Sequence, residues 1–129
     1  MKITNLKIAI KKAKLDPKVS IKRVCLWQNE KISYHTAQIL KQVNAHFHKN
    51  GDEIYQIIYG RGLIYIGSVD KNKKVGWYKP KLVKENDVFN IPAGFAHCLK
   101  NLSKKPLIIT FFCPPQHLKN DRFIVNNPF

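Results

Sequence analysis

Between residues 19 and 113 the chain breaks into short apolar-rich runs, each set off from the next by turn-forming residues. Runs at 21–27, 33–40, 42–48, 53–59, 63–69, 75–83, 88–91, 96–99 and 107–113 are rich in β-branched and aromatic residues, and several alternate apolar with polar. The breaks are Asn29-Glu30-Lys31, Lys49-Asn50-Gly51-Asp52, Gly60-Arg61-Gly62, Asp70 to Lys74, Lys84-Glu85-Asn86-Asp87 and Pro92-Ala93-Gly94. Strands this short cannot bury an apolar face alone, so the spacing predicts an all-β barrel or sandwich. Residues 5–14 carry a helical stripe of Leu6, Ile10 and Ala13, yet Leu6, Ile8 and Ile10 also alternate as a strand would. With Asn5 as a cap and Pro17 as a stop, a short amphipathic helix packed outside the core is the preferred expectation. After Pro114-Pro115 the chain cannot serve as a central strand, because proline lacks the ladder N–H, so the tail should wrap the outside or reach a partner. The expected organisation is an N-terminal extension over 1–18, a barrel over 19–113 and a tail over 114–129, all in one domain.

With 129 residues, the chain can bury one core without a disulfide or structural metal to hold it. Cys25, Cys98 and Cys113 are odd in number and widely spaced, which argues against a disulfide framework and for a reducing compartment. Lysines interrupt the N-terminal region before any signal-length apolar run develops, and no segment is long enough to cross a bilayer. The expectation is a cytoplasmic protein with no membrane partner. The formal net charge is +15, almost all of it from lysine, with arginine only at positions 23, 61 and 122. Arginine is the better base and phosphate reader, and the lysines are scattered, so nucleic acid is not the expected partner. A positive field would instead draw small anionic metabolites towards a cleft.

The strongest local signal is His46-Phe47-His48. On a strand the two imidazoles share a face and Phe47 points the other way. Bare imidazoles are costly to bury, and a metal ion removes that cost. Glu53 follows after a turn and opens the next run, offering a carboxylate oxygen. His97 lies far off in sequence, after Pro92-Ala93-Gly94, and could reach the same point only in a closed barrel.

These residues resemble the two motifs of the cupin superfamily. The first has His-x-His, Glu and Gly in order, met here by His46, His48, Glu53 and Gly60; the second has Pro-x-Gly, His and Asn, met by Pro92, Gly94, His97 and Asn101. The glycines that usually open the motifs are replaced by Leu40 and Asn86, the latter still able to take a left-handed turn. The resemblance covers residues from about 34 to 113. It implies a double-stranded β-helix, or jelly-roll, barrel of two antiparallel sheets, with one divalent transition metal ion held by His46, His48, Glu53 and His97. Iron, manganese, nickel, cobalt, zinc and copper all suit such ligands. Asn101 is expected to tie down a turn.

Around this centre, Asn44, Tyr55, Ile57 and Phe95 are expected to line a substrate pocket. Tyr55 is also a candidate acid or hydrogen-bond donor, and His35 a candidate general base. Each has a plainer alternative: Tyr55 as barrel filling and His35 as a histidine satisfied elsewhere. His117, in the tail, is placed outside the ligand set. Neither Cys98 nor Cys113 is marked as an activated nucleophile. Three imidazoles and one carboxylate leave positions free on a six-coordinate ion, which suits catalysis or ligand binding. The favoured function is metal-dependent isomerisation or epimerisation of a small polar or anionic metabolite such as a sugar acid. Iron-dependent dioxygenation is one alternative, and non-catalytic binding or sensing of a small molecule is another. A homodimer is expected, as cupin barrels often pair through their sheets.

Overall fold

The computed structural model describes residues 1–129. A single helical turn, α1 (Leu6–Ala9), runs into a 3-10 turn at Ile10–Lys12. Twelve strands follow: β1 (Lys14–Asp16), β2 (Ile21–Gln28), β3 (Ser33–Ile39), β4 (His46–Phe47), β5 (Glu53–Tyr59), β6 (Arg61–Val69), β7 (Val75–Trp77), β8 (Lys81–Lys84), β9 (Val88–Ile91), β10 (Ala96–Asn101), β11 (Leu107–Cys113) and, beyond a 3-10 turn at Pro115–Leu118, β12 (Phe123–Ile124). No helix is long and apolar enough to cross a membrane.

The strands form two six-stranded antiparallel sheets, curled against each other as a jelly roll. The first runs β1-β2-β3-β11-β5-β9; the second runs β12-β4-β10-β6-β7, with β8 also paired to β6. Period-two patterning builds the interior. In β5, Glu53, Tyr55 and Ile57 are buried while Ile54 is exposed, and in β11 Leu107, Ile109, Phe111 and Cys113 point inward. Register places Phe111 beside both His35 and Tyr55, so these three cross the inner face of the first sheet in one row. Ile39, Ile57, Leu99, Leu107 and Ile109 are essentially inaccessible to solvent and anchor the core.

Four local expectations change. The helix is shorter than its stripe: Asn5 does cap it, accepting from the Ile8 N–H at 3.2 Å, but β1 starts before Pro17. The run 42–48 is a strand only at His46–Phe47, because its backbone donors go to separate places: Val43 to Leu99, Asn44 to Val19 and Ala45 to the Asn127 side chain. The turn expected at Gly60-Arg61-Gly62 is confined to Gly60, and Gly62 lies inside β6, where a Cβ would sit 2.6 Å from the Lys100 carbonyl. The run 75–83 splits into β7 and β8 around Tyr78-Lys79-Pro80.

The tail folds back onto its own barrel. β12 pairs with the edge of β4, Phe123 opposite Phe47, and the Val125 N–H continues to the Ala45 carbonyl. Arg122 binds the Asp16 carboxylate at 2.7 and 3.3 Å, joining the tail to the N-terminal strand. This edge placement agrees with the prolines excluding a central strand, and it brings residues 115–124 over one end of the barrel.

Candidate metal centre

Three elements bring the four ligand candidates together. β4 and the residue after it supply His46 and His48, the first residue of β5 supplies Glu53, and β10 supplies His97, which pairs in register with His46. One donor atom from each of the four lies within 4.8 Å of every other. All four side chains are buried.

The imidazoles are oriented by backbone carbonyls. His46 Nδ1 lies 2.8 Å from the Asn44 carbonyl, His48 Nδ1 lies 2.5 Å from the Asp121 carbonyl, and His97 Nδ1 lies 3.4 Å from the Phe95 carbonyl. A carbonyl can only accept, so each Nδ1 carries the proton and each Nε2 is left with a lone pair. The lone pairs converge on Glu53: its Oε2 lies 3.0 Å from His48 Nε2 and 3.5 Å from His97 Nε2. Glu53 Oε2 and His97 Nε2 have no hydrogen-bond donor, though both are buried. Lone pairs facing one another in a dry interior repel unless a cation lies between them, and buried polar atoms left unpaired are rare in folded proteins. The donor set therefore fits a divalent transition ion, with imidazole nitrogen and carboxylate oxygen as ligands.

The electrostatics agree with that assignment. Burial holds His46 well below the ordinary histidine pKa and brings His97 down to about 4, so both stay neutral near pH 7 as ligands must. Burial would raise the Glu53 carboxyl, but its contacts with His117 and His48 and the other neighbouring imidazole outweigh it and hold Glu53 well below the usual carboxylate range.

The other residues singled out in the sequence fall at different distances from this cluster. Tyr55 is buried two residues along β5, its ring 6.0 Å from that of His97. Burial, then the charge and hydrogen bond of Glu53, push its hydroxyl well above the ordinary tyrosine pKa, so it remains a proton donor. Ile57 is deeper still, inside the hydrophobic core. Asn44 and Phe95 meet the centre through the carbonyls that orient His46 and His97. His35 is buried in β3, stacked on Phe111 with centroids 5.0 Å apart, and neither of its ring nitrogens has a partner. Burial brings it down to about 4, so it is neutral at pH 7. Cys113 faces inward beside Ser33, and burial raises it to about 12, as it does Cys98; both thiols stay protonated. Asn101 ties down its turn by donating to the Ile39, Leu40 and Lys105 carbonyls.

One residue outside the ligand set lies closer to it than the sequence indicates. His117 is buried against the cluster, its ring parallel to that of His48 at 3.9 Å and its Nδ1 3.8 Å from Glu53 Oε2. Asp121 joins it: the carboxylate accepts from the Lys49 N–H at 2.7 Å and the Asn50 N–H at 3.0 Å, fixing the loop between His48 and Glu53. Neither residue could be assigned from periodicity, because the tail's position depends on pairing between β12 and β4, strands of two residues each.

The cupin sequence profile matches residues 41–127. No curated protein matches the chain in sequence. Solved structures do resemble it. A double-stranded β-helix protein of Klebsiella pneumoniae aligns with a TM-score of 0.70 at 14% identity, covering 98% of this chain and 99% of that one. The protein TT1209 of Thermus thermophilus aligns with a TM-score of 0.67 at 21% identity, covering 88% of this chain and 98% of that one. An oxalate oxidase aligns with a TM-score of 0.65 at 20% identity, covering 91% of this chain and 61% of its own. At these identities the likeness is one of fold.

Proposed function

Because the chain belongs to the cupin family, we propose that it is a metal-dependent enzyme acting on a small anionic metabolite, with isomerisation or epimerisation next to a carbonyl as its reaction. The observation that carries this reading is the converging set of buried lone pairs at His48, Glu53 and His97, which a cation satisfies and which leaves ligand positions over for a substrate. Held by His46, His48, Glu53 and His97, a divalent ion would polarise a substrate carbonyl and so make the proton on the adjacent carbon more acidic.

The chain's own residues would do the rest. Tyr55, kept protonated beside Glu53, can donate a hydrogen bond to a developing oxyanion or return a proton to carbon. The tail excludes water by burying His117 and Asp121 at the centre. The excess of 23 basic over 8 acidic residues favours a carboxylate- or phosphate-bearing substrate. Oxalate oxidase, a structural relative, is named for a small anion of that kind.

One observation favours a second reading. His35, at about 4, is a weak base, and it has no hydrogen bond that would orient it for proton abstraction. Oxidation of a small substrate by oxygen at iron needs no strong protein base. The two readings separate in one experiment: the metal-loaded protein is incubated in deuterium oxide with a panel of small hydroxy- and keto-acids and sugar acids, and oxygen uptake is followed in parallel with the iron form. Isomerisation predicts deuterium incorporation at the carbon beside the carbonyl without oxygen uptake. Oxygen uptake without exchange overturns it in favour of the oxygenase, and the absence of both with bound ligand points to a binding protein.

A further inference from the structure

The second sheet is closed on one side of His97 and interrupted on the other. His46 stands directly opposite His97 on β4, and Ile66 directly opposite it on β6, so the three side chains share the inner face in one row. Beyond His46 the row ends at β12, where the tail covers the barrel. Beyond Ile66 there is a gap. β7 pairs with β6 only from Gly67 to Val69, and β8 only from Arg61 to Ile64. Tyr65 and Ile66 therefore have no strand beside them on that side. One hydrogen bond, from the Tyr78 N–H to the Ile66 carbonyl at 2.9 Å, spans the break.

A cavity of about 280 Å³ opens at this gap, lined by Ile64, Ile66, Tyr78, Lys79 and Lys81. Its floor is apolar, and its rim carries two lysines and no carboxylate. Lys81 is there by register. It stands opposite Ile64, and Val83, two residues further along β8, belongs to the core, so Lys81 lies on the inner face of its strand. Neither lysine has a counter-ion. The one lysine ion pair is Lys84 with Asp87 at 3.9 Å, and the lysines that meet aromatic rings are Lys49, Lys73 and Lys100. The Ile66 wall of the cavity is one strand, about 4.8 Å, from His97. At about 30 Å³ for each water-sized group, the cavity holds roughly nine, which suits a small organic acid.

We propose that this cavity holds the anionic end, carboxylate or phosphate, of a small substrate, with Lys81 as the first cation to meet it and Lys79 as the second. The carbon chain lies over Ile64 and Ile66, and the reacting end passes Ile66 towards the centre beside His97. The four ligand side chains are buried and the tail closes the β12 side, so the gap in the sheet gives an approach from the opposite side. Lys81 then reads the charge of the substrate without touching its reacting atoms. The assignment rests on the metal-dependent function proposed above and adds the place where the substrate's charge is recognised.

The test is a low-salt titration of the full chain, loaded with zinc alone, with butyrate, propyl phosphate and uncharged butyramide, followed through the backbone amide NMR signals of Ile64, Ile66, Tyr78 and Lys81. At least one of the two anions should shift these signals saturably, and the tighter of the two identifies the group recognised. Binding of that anion should be roughly tenfold weaker in Lys81→Gln, and butyramide should bind the wild type about as weakly, since a charged hydrogen-bond partner is lost in both cases. Lys81 is exposed, and unchanged signals elsewhere in the variant's spectrum show that its fold is intact. No saturable shift at these residues, equal binding by wild type and Lys81→Gln, or butyramide binding as tightly as the anions would overturn the proposal. Zinc content decides the metal centre separately, with about one ion per chain expected in both proteins. Zinc bound without anion binding overturns the cavity alone; a wild type that binds no zinc overturns the metal-dependent reading and, with it, the substrate role of the cavity.

Discussion

Asp121→Asn is nearly isosteric and tests how firmly the tail holds the centre. The Asp121 carboxylate accepts two backbone N–H groups, from Lys49 at 2.7 Å and Asn50 at 3.0 Å, one on each oxygen. Asparagine has one oxygen and one NH2 group, so one N–H would face another donor, and the surviving bond would lose its charge. A hydrogen bond to a charged group is worth about 1.5–3 kcal/mol and a neutral one about 0.5–1.5 kcal/mol. Losing one and weakening the other should destabilise the metal-free protein by about 2–3 kcal/mol. With a urea m-value of about 2 kcal/mol/M, the midpoint should drop by about 1–1.5 M. The gap between the proteins should also depend on pH. Burial would raise the Asp121 carboxyl, but the Lys49 and Asn50 N–H groups outweigh it and hold it below its usual 3.8. A depressed carboxyl stabilises the fold above its unfolded pKa and loses that contribution as pH falls through the folded value. The gap should therefore be full at about pH 6 and narrow below about pH 4. A midpoint shift under about 0.25 M at pH 6, or a gap that widens in acid, would refute the assignment of Asp121 as the tail's anchor.

Two further outcomes concern the buried histidines. Replacing His35 by phenylalanine removes two unpartnered ring nitrogens and keeps a ring against Phe111, so urea denaturation should show a gain of about 1 kcal/mol; a loss of that size would mean that a bound ligand or water satisfies His35. In the metal-free protein, burial brings both His35 and His97 down to about 4 from 6.5. The unfolded chain then takes up protons that the folded one refuses, so these groups should cost the fold stability progressively as pH falls from about 6.5 towards about 4 and have no effect above about 7. Thermal melting across that window checks the sign, and a melting temperature rising towards the acid end would contradict it.

Most of the barrel can be read from the chain because alternation and turns are local properties. Glu53, Tyr55 and Ile57 announce the inner face of β5, and Gly60 marks its end. The His46 and His48 pair is legible for the same reason, since imidazoles two residues apart on a strand share a face. Bringing His97 to that pair needs closure of the barrel, which no local pattern shows; the two motifs supply it through resemblance. What stays hidden is non-local and backbone-mediated. The carbonyls of Asn44, Phe95 and Asp121 that set each tautomer carry no side-chain signature. The run 42–48 reads as one strand because its composition says nothing about where each N–H will go, and here they go to three segments. The seat of His117 beside the cluster stays hidden because a segment after Pro114-Pro115 has no periodicity to follow, while its approach depends on Gly51, far earlier in the chain.

The central claim is that His46, His48, Glu53 and His97 hold a metal ion. Elemental analysis of protein purified from metal-replete cells, without added metal, tests it most directly, with His46→Ala and His97→Ala alongside. About one transition ion per chain in the wild type and a sharp fall in both variants is the predicted result. A folded wild-type protein carrying no transition metal, or variants that retain it undiminished, would contradict the claim.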